Sequence, residues 1–449
     1  MKYNNLYLFL ISLVSAMGGL LFGYDWVVIG GAKPFYEVFF GISDSSILQG
    51  WAISCAVVGC IIGVTVSGSL ADKLGRKPLM LLAAVIFIVS AVGTGMVNAF
   101  NGFIFYRLVG GVAIGIASNV APMYIAEVSP PDVRGRFVSL QQLTIVLGIL
   151  FAQVINWLIA HPGEPAIDSW NVQAGWRWMF WAENVPAGLY LIFIFLIPES
   201  PRWLVKANRV SLAAHTLSRI GGQDFAACEI AMMKTTTVEH GGFAALLSKR
   251  ISRLLIVGIV LAILQQWCGI NVIFNYAQEI FSAAGYNVSD TLFNIVVTGA
   301  TNVLFTFVGM YTIDWLGRRA LLLFGAIGLT TIYAILGLCY YRHVTGFAML
   351  CLVVAAIACY AMTLAPVIWV VISEIFPTRI RGLAMAISTF ALWSACFVLT
   401  YTFPLLNKGL GASGTFWLYG VICLLGFFFV LYKLPETKGK SLEEIEKEL

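Results

Sequence analysis

DKLGRK at residues 72–77 returns as DWLGRR at 314–319, 242 residues later. A second string keeps nearly the same spacing. EVSPPDVRGR (127–136) returns as EIFPTRIRG (374–382), with Arg134 and Arg381 before the matching glycines, 247 residues apart. PESPR (198–202) and PETKGK (435–440) close the two copies. The chain is therefore duplicated, and each charged string lies between long apolar runs, so the repeated unit is a membrane unit. Parallel membrane repeats with a binding site between them are a transporter signature.

Composition supports this. The 449 residues are 60% hydrophobic and only 11% charged, whereas soluble domains have about 25% charged residues. Eleven charge-free runs are long enough for the ~20 residues that cross a bilayer, and a twelfth, 178–198, contains only Glu183. The expected fold is an all-α membrane protein of twelve transmembrane helices in two six-helix parallel repeats, with a cytoplasmic helical linker. The expected boundaries are 1–198 for the first bundle, 199–252 for the linker, 253–434 for the second bundle and 435–449 for a tail. The first run is too long for a signal peptide and has only Lys2 before it, so it is expected to remain a membrane span.

Of the 27 Lys and Arg, 21 fall in the loops and tail that share one side if the helices alternate. That side is the cytoplasm by the positive-inside rule. Both termini are then cytoplasmic, in a cell (inner or plasma) membrane, and the net charge of +5 reflects topology and not nucleic-acid binding. Nine scattered cysteines without CxxC or a His/Cys cluster suggest reduced, buried thiols and no metal site.

Charges within spans are expensive and functional by default. Asp25 is expected about five residues from the outer end of the first span, and Arg107 and Glu183 about six from the outer ends of the fourth and sixth. Their common depth permits an Asp, Arg and Glu network that binds a proton; the alternative is a static pair between helices. In the seventh span, Gln265, Gln266 and Asn271 interrupt an apolar run. Asn271, Asn275 and Gln278 share one face by their i, i+4, i+7 spacing, and Gly269 weakens the helix just before them. Gln142 and Asn302 add amides, while Trp369 and Trp393 offer stacking surfaces. Amides supply both donors and acceptors, which suits a neutral hydroxyl-rich ligand; alternatively they only join helices. Asp72, Arg76, Glu127, Arg134, Arg136, Asp314, Arg318, Glu374, Arg379 and Arg381 are candidates for ion pairs between the halves that close the cytoplasmic side. Each exposed pair contributes only ~0 to 1 kcal/mol, which suits a gate that must open.

The chain resembles the sugar porter branch of the major facilitator superfamily. The strings that carry the resemblance run along nearly its whole length: GGLLFGYD ending at Asp25, DKLGRK, YRLVGG with Arg107, PMYIAE before RGR, PESPR, QQWCGIN, DWLGRR, SEIFPTRIRG and PETKGK. The resemblance implies alternating access, a central monosaccharide site at Gln142, Gln265, Gln266, Asn271, Asn302, Trp369 and Trp393, and no prosthetic group; the chain is expected to work as a monomer. Asp25 resembles proton-coupled bacterial members, whereas facilitative animal glucose carriers have an uncharged residue there. Ile149, Phe274, Asn275, Ala365 and Leu392 depart from the bacterial xylose-symporter pattern, and Ile149 and Phe274 look more like the facilitative carriers.

The reading is therefore a proton-coupled importer of a neutral aldopentose or aldohexose such as xylose, glucose, galactose or arabinose. The alternatives are a uniporter and a non-transporting sugar sensor, the latter expected to have a longer cytoplasmic tail. A membrane enzyme is disfavoured, because no nucleophile and base pair or metal cluster is present.

Overall fold

The computed structural model describes residues 3–130, 133–161, 163, 165–235, 249–376, 381–434 and 436. In the first repeat, the long helices are α1 (Asn5–Phe40), α2 (Ser46–Leu74), α3 (Arg76–Met96), α4 (Phe100–Val128) and α5 (Arg134–Ile159). The sixth span is built from a π-helical turn, Asn171–Gly175, followed by α6 (Trp176–Trp181) and α7 (Asn184–Leu196). Three short helices follow, α8 (Pro201–Lys206), α9 (Val210–Gly221) and α10 (Gln223–Thr235). The second repeat contains α11 (Lys249–Trp267), α12 (Ile270–Asn275), α13 (Ala277–Ala283), α14 (Val288–Leu316), α15 (Arg318–Tyr341), α16 (Phe347–Met362), α17 (Leu364–Ile375) and α18 (Arg381–Lys433).

Eleven candidate spans occur among the described residues. The last, α18, contains a non-helical Gly411 at φ 69°, so it comprises two spans and the total is twelve. The fold is the all-α arrangement of two six-helix parallel repeats. The first span runs further beyond Asp25 than the five residues expected: α1 continues through Lys33 and Glu37 to Phe40, because both charges have an ionic partner.

The helices form two compact units that follow contacts rather than chain order. The first contains the chain up to Val28, Val58–Ala152 and the segment from Arg177 through α10. The second contains Ile29–Val57, Gln153–Trp176 and the helices from α11 onward.

Small residues bring backbones together inside the first unit, as is usual where helices associate in lipid. A β-carbon on Gly59 or Gly63 of α2 would run into the Leu108 or Val112 carbonyl of α4. The linker reading of 211–219 as an amphipathic helix matches α9, whose buried Ala213, Thr216, Leu217 and Ile220 recur at helical spacing. It is tied to the start of α1: the Asn4 amide donates to the Ile220 carbonyl, and Arg219 lies 4.1 Å from the Tyr7 ring centroid.

The duplication is visible at the level of single hydrogen bonds. Gly75 and Gly317, at φ 101° and 88°, make a turn open to glycine before α3 and α15. The orphan amides that begin these helices find carboxylates from the closing strings. Glu199 accepts from the amides of Arg76 and Lys77, both at 3.1 Å, and Glu436 accepts from those of Arg318 and Arg319 at 2.9 and 3.0 Å. Glu199 and Glu436 thus cap the helices that begin at Arg76 and Arg318.

Candidate functional site

The first unit buries three charges. Arg107 of α4 is ion-paired with Asp25 of α1, and its other terminal nitrogen donates to the Asp25 backbone carbonyl at 3.3 Å. The guanidinium lies 5.5 Å from the Phe180 ring centroid. Gly110, one turn along α4, makes room for the carboxylate, since a β-carbon there would stand 3.1 Å from Asp25 Oδ2. Asp25 Oδ2 accepts no hydrogen bond.

Glu183 occupies the turn between α6 and α7 and is also buried. Its Oε1 has no hydrogen-bond partner, yet it interacts electrostatically with both Asp25 and Arg107. Nearby, the Tyr24 hydroxyl donates to the Met179 carbonyl at 2.9 Å. Two carboxyls therefore share one guanidinium in a site closed to water. With all three ionised, one negative charge is left over, and a buried unpaired charge is costly. Binding one proton removes it. The common depth expected of these three residues brings them together here, although Asp25 is mid-helix and not five residues from the end of α1.

In the second unit, the amide-rich seventh span is broken twice. Gly269 takes a left-handed conformation at φ 83°, ending α11 and starting α12, and Tyr276 leaves helical geometry before α13. The single face expected for Asn271, Asn275 and Gln278 is consequently interrupted at Tyr276. Gln265 Nε2 donates to the Ala365 carbonyl at 3.2 Å, while its Oε1 has no hydrogen-bond partner. Gln266 Oε1 accepts from Asn271 Nδ2, so these two amides hold one another across the Gly269 break. Asn275 is buried with an unpartnered Oδ1. Asn302 of α14 and Trp393 of α18 are buried too, whereas Trp369 of α17 is 37% exposed. Gln142 lies on α5 in the first unit, half-buried.

The charged strings form compact networks within a unit. Arg76 pairs with Glu127 at 2.8 Å and with Asp72, one helical turn away, at 3.6 Å. Ser200 donates to the same Glu127. Burial raises the Glu199 carboxyl above its ordinary range, opposed by the amide bonds from Ser200, Arg76 and Lys77 and by the Arg76 charge. These pairs join helices of the first unit, whereas the sequence suggested pairs between halves; the i, i+4 spacing of Asp72 and Arg76 makes the local contact readily available. Arg318 donates to the Ile313 carbonyl at 3.3 Å. Arg134 begins α5 half-buried, and Arg136 is exposed. Arg379 lies outside the described residues, as do the side chains of Asp314, Glu374 and Arg381.

Sequence reasoning missed several polar groups. Gln141 and Gln153 of α5 are buried with both amide atoms unpartnered. Lys33 and Glu37 of α1 form a buried pair with Glu279 of α13. The i, i+4 spacing of Lys33 and Glu37 was the available signal, but it fell in what read as a loop. Among the described residues, no three His, Cys, Asp or Glu side chains could hold a metal, and Cys228 and Cys351 are exposed, unlike the buried thiols the sequence suggested.

The sugar (and other) transporter family profile matches residues 11–449. The D-xylose-proton symporter of Escherichia coli (strain K12) is 36% identical, over 99% of this chain and 96% of its own length. The glucose transport protein of Synechocystis sp. is 39% identical, over 98% of this chain and 97% of its own. Among solved structures, the inward open conformation of the xylose transporter XylE from E. coli matches with a TM-score of 0.86 and 35% identity, over 98% of this chain and all of that one. On these grounds, and with a fold of two six-helix repeats, the chain belongs to the sugar porter family of the major facilitator superfamily and is a multi-pass membrane transporter of sugars, not an enzyme.

Proposed function

We propose that the protein is a proton-coupled symporter that imports a neutral monosaccharide, an aldopentose or aldohexose, by alternating access. The observation that carries this reading is the buried Asp25 and Arg107 pair with Glu183 beside it. Two carboxyls and one guanidinium form a set that one proton brings to neutrality. In this reading Asp25 takes up the proton on the outer side and releases it inside as its contact with Arg107 breaks and re-forms.

The sugar is held by the amides of Gln142, Gln265, Gln266, Asn271 and Asn302, with Trp369 and Trp393 against its apolar face. Support comes from the lone acceptor on Gln265 and from the double break around α12, which leaves backbone and side-chain polar groups free of a regular helix. The charged strings gate the cytoplasmic side, where both termini lie, and the monomer is the working unit. One charge moved across the membrane is worth about 2.3 kcal/mol per 100 mV, or roughly a fifty-fold sugar gradient at 1.36 kcal/mol per decade.

The second reading is a uniporter, favoured by Ile149 and Phe274, where the pair of Asp25 and Arg107 only locks α1 to α4. Uptake of labelled glucose, xylose, galactose and arabinose into proteoliposomes, with and without an inward proton gradient, decides between them. Gradient-driven accumulation of one sugar is expected. Equilibration without accumulation would establish the uniporter, and no flux of any of the four would reject this substrate class.

A further inference from the structure

Eight residues beyond Asp25, α1 carries a second buried cation. Lys33 is 2% exposed, and its Nζ is 2.8 Å from Glu37 Oε1 and paired with Glu279. The ammonium also lies 5.4 Å from the Tyr276 ring centroid, and Tyr276 is itself anchored by donating to the Thr400 carbonyl at 2.7 Å. A lysine so far from water needs its counter-charges, because an unpaired ammonium there costs several kcal/mol.

Its two carboxylates differ in a way that matters. Glu37 is on the same helix one turn away, so it travels with Lys33 whatever α1 does. Glu279 is on α13, a seven-residue helix bounded by the break at Tyr276 and by Gly285 at φ 88°. Glu37 is buried, whereas the Glu279 side chain is 26% exposed, although its Oε2 is itself buried, with no hydrogen-bond partner. Glu279 also borders a cavity of about 340 Å³ with Ser43, Gln49, Phe403, Asn407 and Lys408. If Glu279 leaves Lys33, water in that cavity can solvate the carboxylate, and Glu37 still neutralises the lysine. The backbones are already in close contact here, since a β-carbon on Gly30 would stand 2.8 Å from the Phe274 carbonyl.

We propose that Lys33, Glu37 and Glu279 form an ionic latch in which Glu37 is the permanent partner of Lys33 and Glu279 the releasable one. Made, it fastens the end of α1 remote from the amino terminus to α13. Released, it lets that end of the transport path open. These residues then set the balance between the two open states of the carrier without touching proton or sugar. The inference rests on the alternating-access reading above, but its test needs neither sugar nor a proton gradient, so the two can fail separately.

Hydrogen exchange followed by mass spectrometry on the full chain in lipid nanodiscs tests it, with Glu279→Gln and Glu37→Gln against the parent protein. Glu279→Gln is expected to raise exchange severalfold at the end of α1 and in α13, and to lower it around Gly75 and Lys77 at the other end of the helices, where closure follows. Glu37→Gln leaves Glu279 as the only counter-charge, so both changes are expected to reverse. A merely structural role would give local loosening in both variants with no change around Gly75, and that outcome would overturn the latch. The double variant Lys33→Glu with Glu279→Lys keeps one cation between two carboxylates and is expected to restore the parental pattern. A folded double variant that retains the Glu279→Gln pattern would also overturn the proposal.

Discussion

The two buried charge clusters have the same inventory, two carboxyls and one cation, but they distribute it differently. In the first, Arg107 is engaged with both the side chain and the backbone of Asp25, and Glu183 stands aside with an unpartnered oxygen in a site closed to water. In the second, Lys33 serves both carboxylates at once, and Glu279, which carries a buried spare oxygen, borders a cavity. The cations suit these tasks. A guanidinium stays charged and offers a rigid fork, while an ammonium is a compact point charge on a flexible stem. Excess negative charge with no water nearby is relieved by a proton, whereas excess negative charge beside a cavity is relieved by solvation. The same composition thus favours proton binding in one place and a breakable link in the other.

The largest expected effect separates the clusters by what they do to coupling. Asp25→Asn removes the ionisable group and is expected to abolish the accumulation, a loss of roughly fifty-fold at 100 mV, while sugar counterflow persists. Glu279→Gln should leave accumulation ratios near the parental value and change only rates. Measuring accumulation and counterflow on both variants checks this. Uphill uptake retained by Asp25→Asn would remove Asp25 from the mechanism, and loss of accumulation in Glu279→Gln would erase the distinction.

Stability gives the next contrast. Arg107→Met leaves two buried carboxyls without a cation, and breaking a buried pair costs about 3–5 kcal/mol. Lys33→Met also leaves two carboxyls, but Glu279 can turn to the cavity, so the cost is expected at about 1–3 kcal/mol. Thermal melts of both variants in one detergent rank them, and equal losses would mean that the cavity does not solvate Glu279.

The sequence made the first cluster legible and hid the second. Asp25, Arg107 and Glu183 each stood alone in an apolar run, so a count from the span ends placed them at one depth. Lys33 and Glu37 sit close together, and their density of charge ended the first span too early. Only the partner on α13, 246 residues away, shows why α1 can continue. The repeated strings were likewise plain as a duplication, but the capping role of Glu199 and Glu436 depends on a contact more than a hundred residues distant. Breaks in the seventh span were half legible: Gly269 announced the first, and nothing in the sequence around Tyr276 announced the second.

The smallest expected effect comes from Gln266 and Asn271, which bond to each other across the Gly269 break and are neutral. They provide a control for both clusters, since removing a neutral amide changes hydrogen bonding but not the charge left in the membrane. Gln266→Ala and Asn271→Ala are each expected to weaken sugar binding by ~0.5–1.5 kcal/mol in a titration, with the accumulation ratio unchanged at saturating sugar. The two losses should not add, because either substitution also frees the partner amide from their shared bond. Full additivity in the double variant would mean that the bond between Gln266 and Asn271 does not help to position the sugar contacts, and an unchanged affinity in both single variants would move the site away from the broken helix.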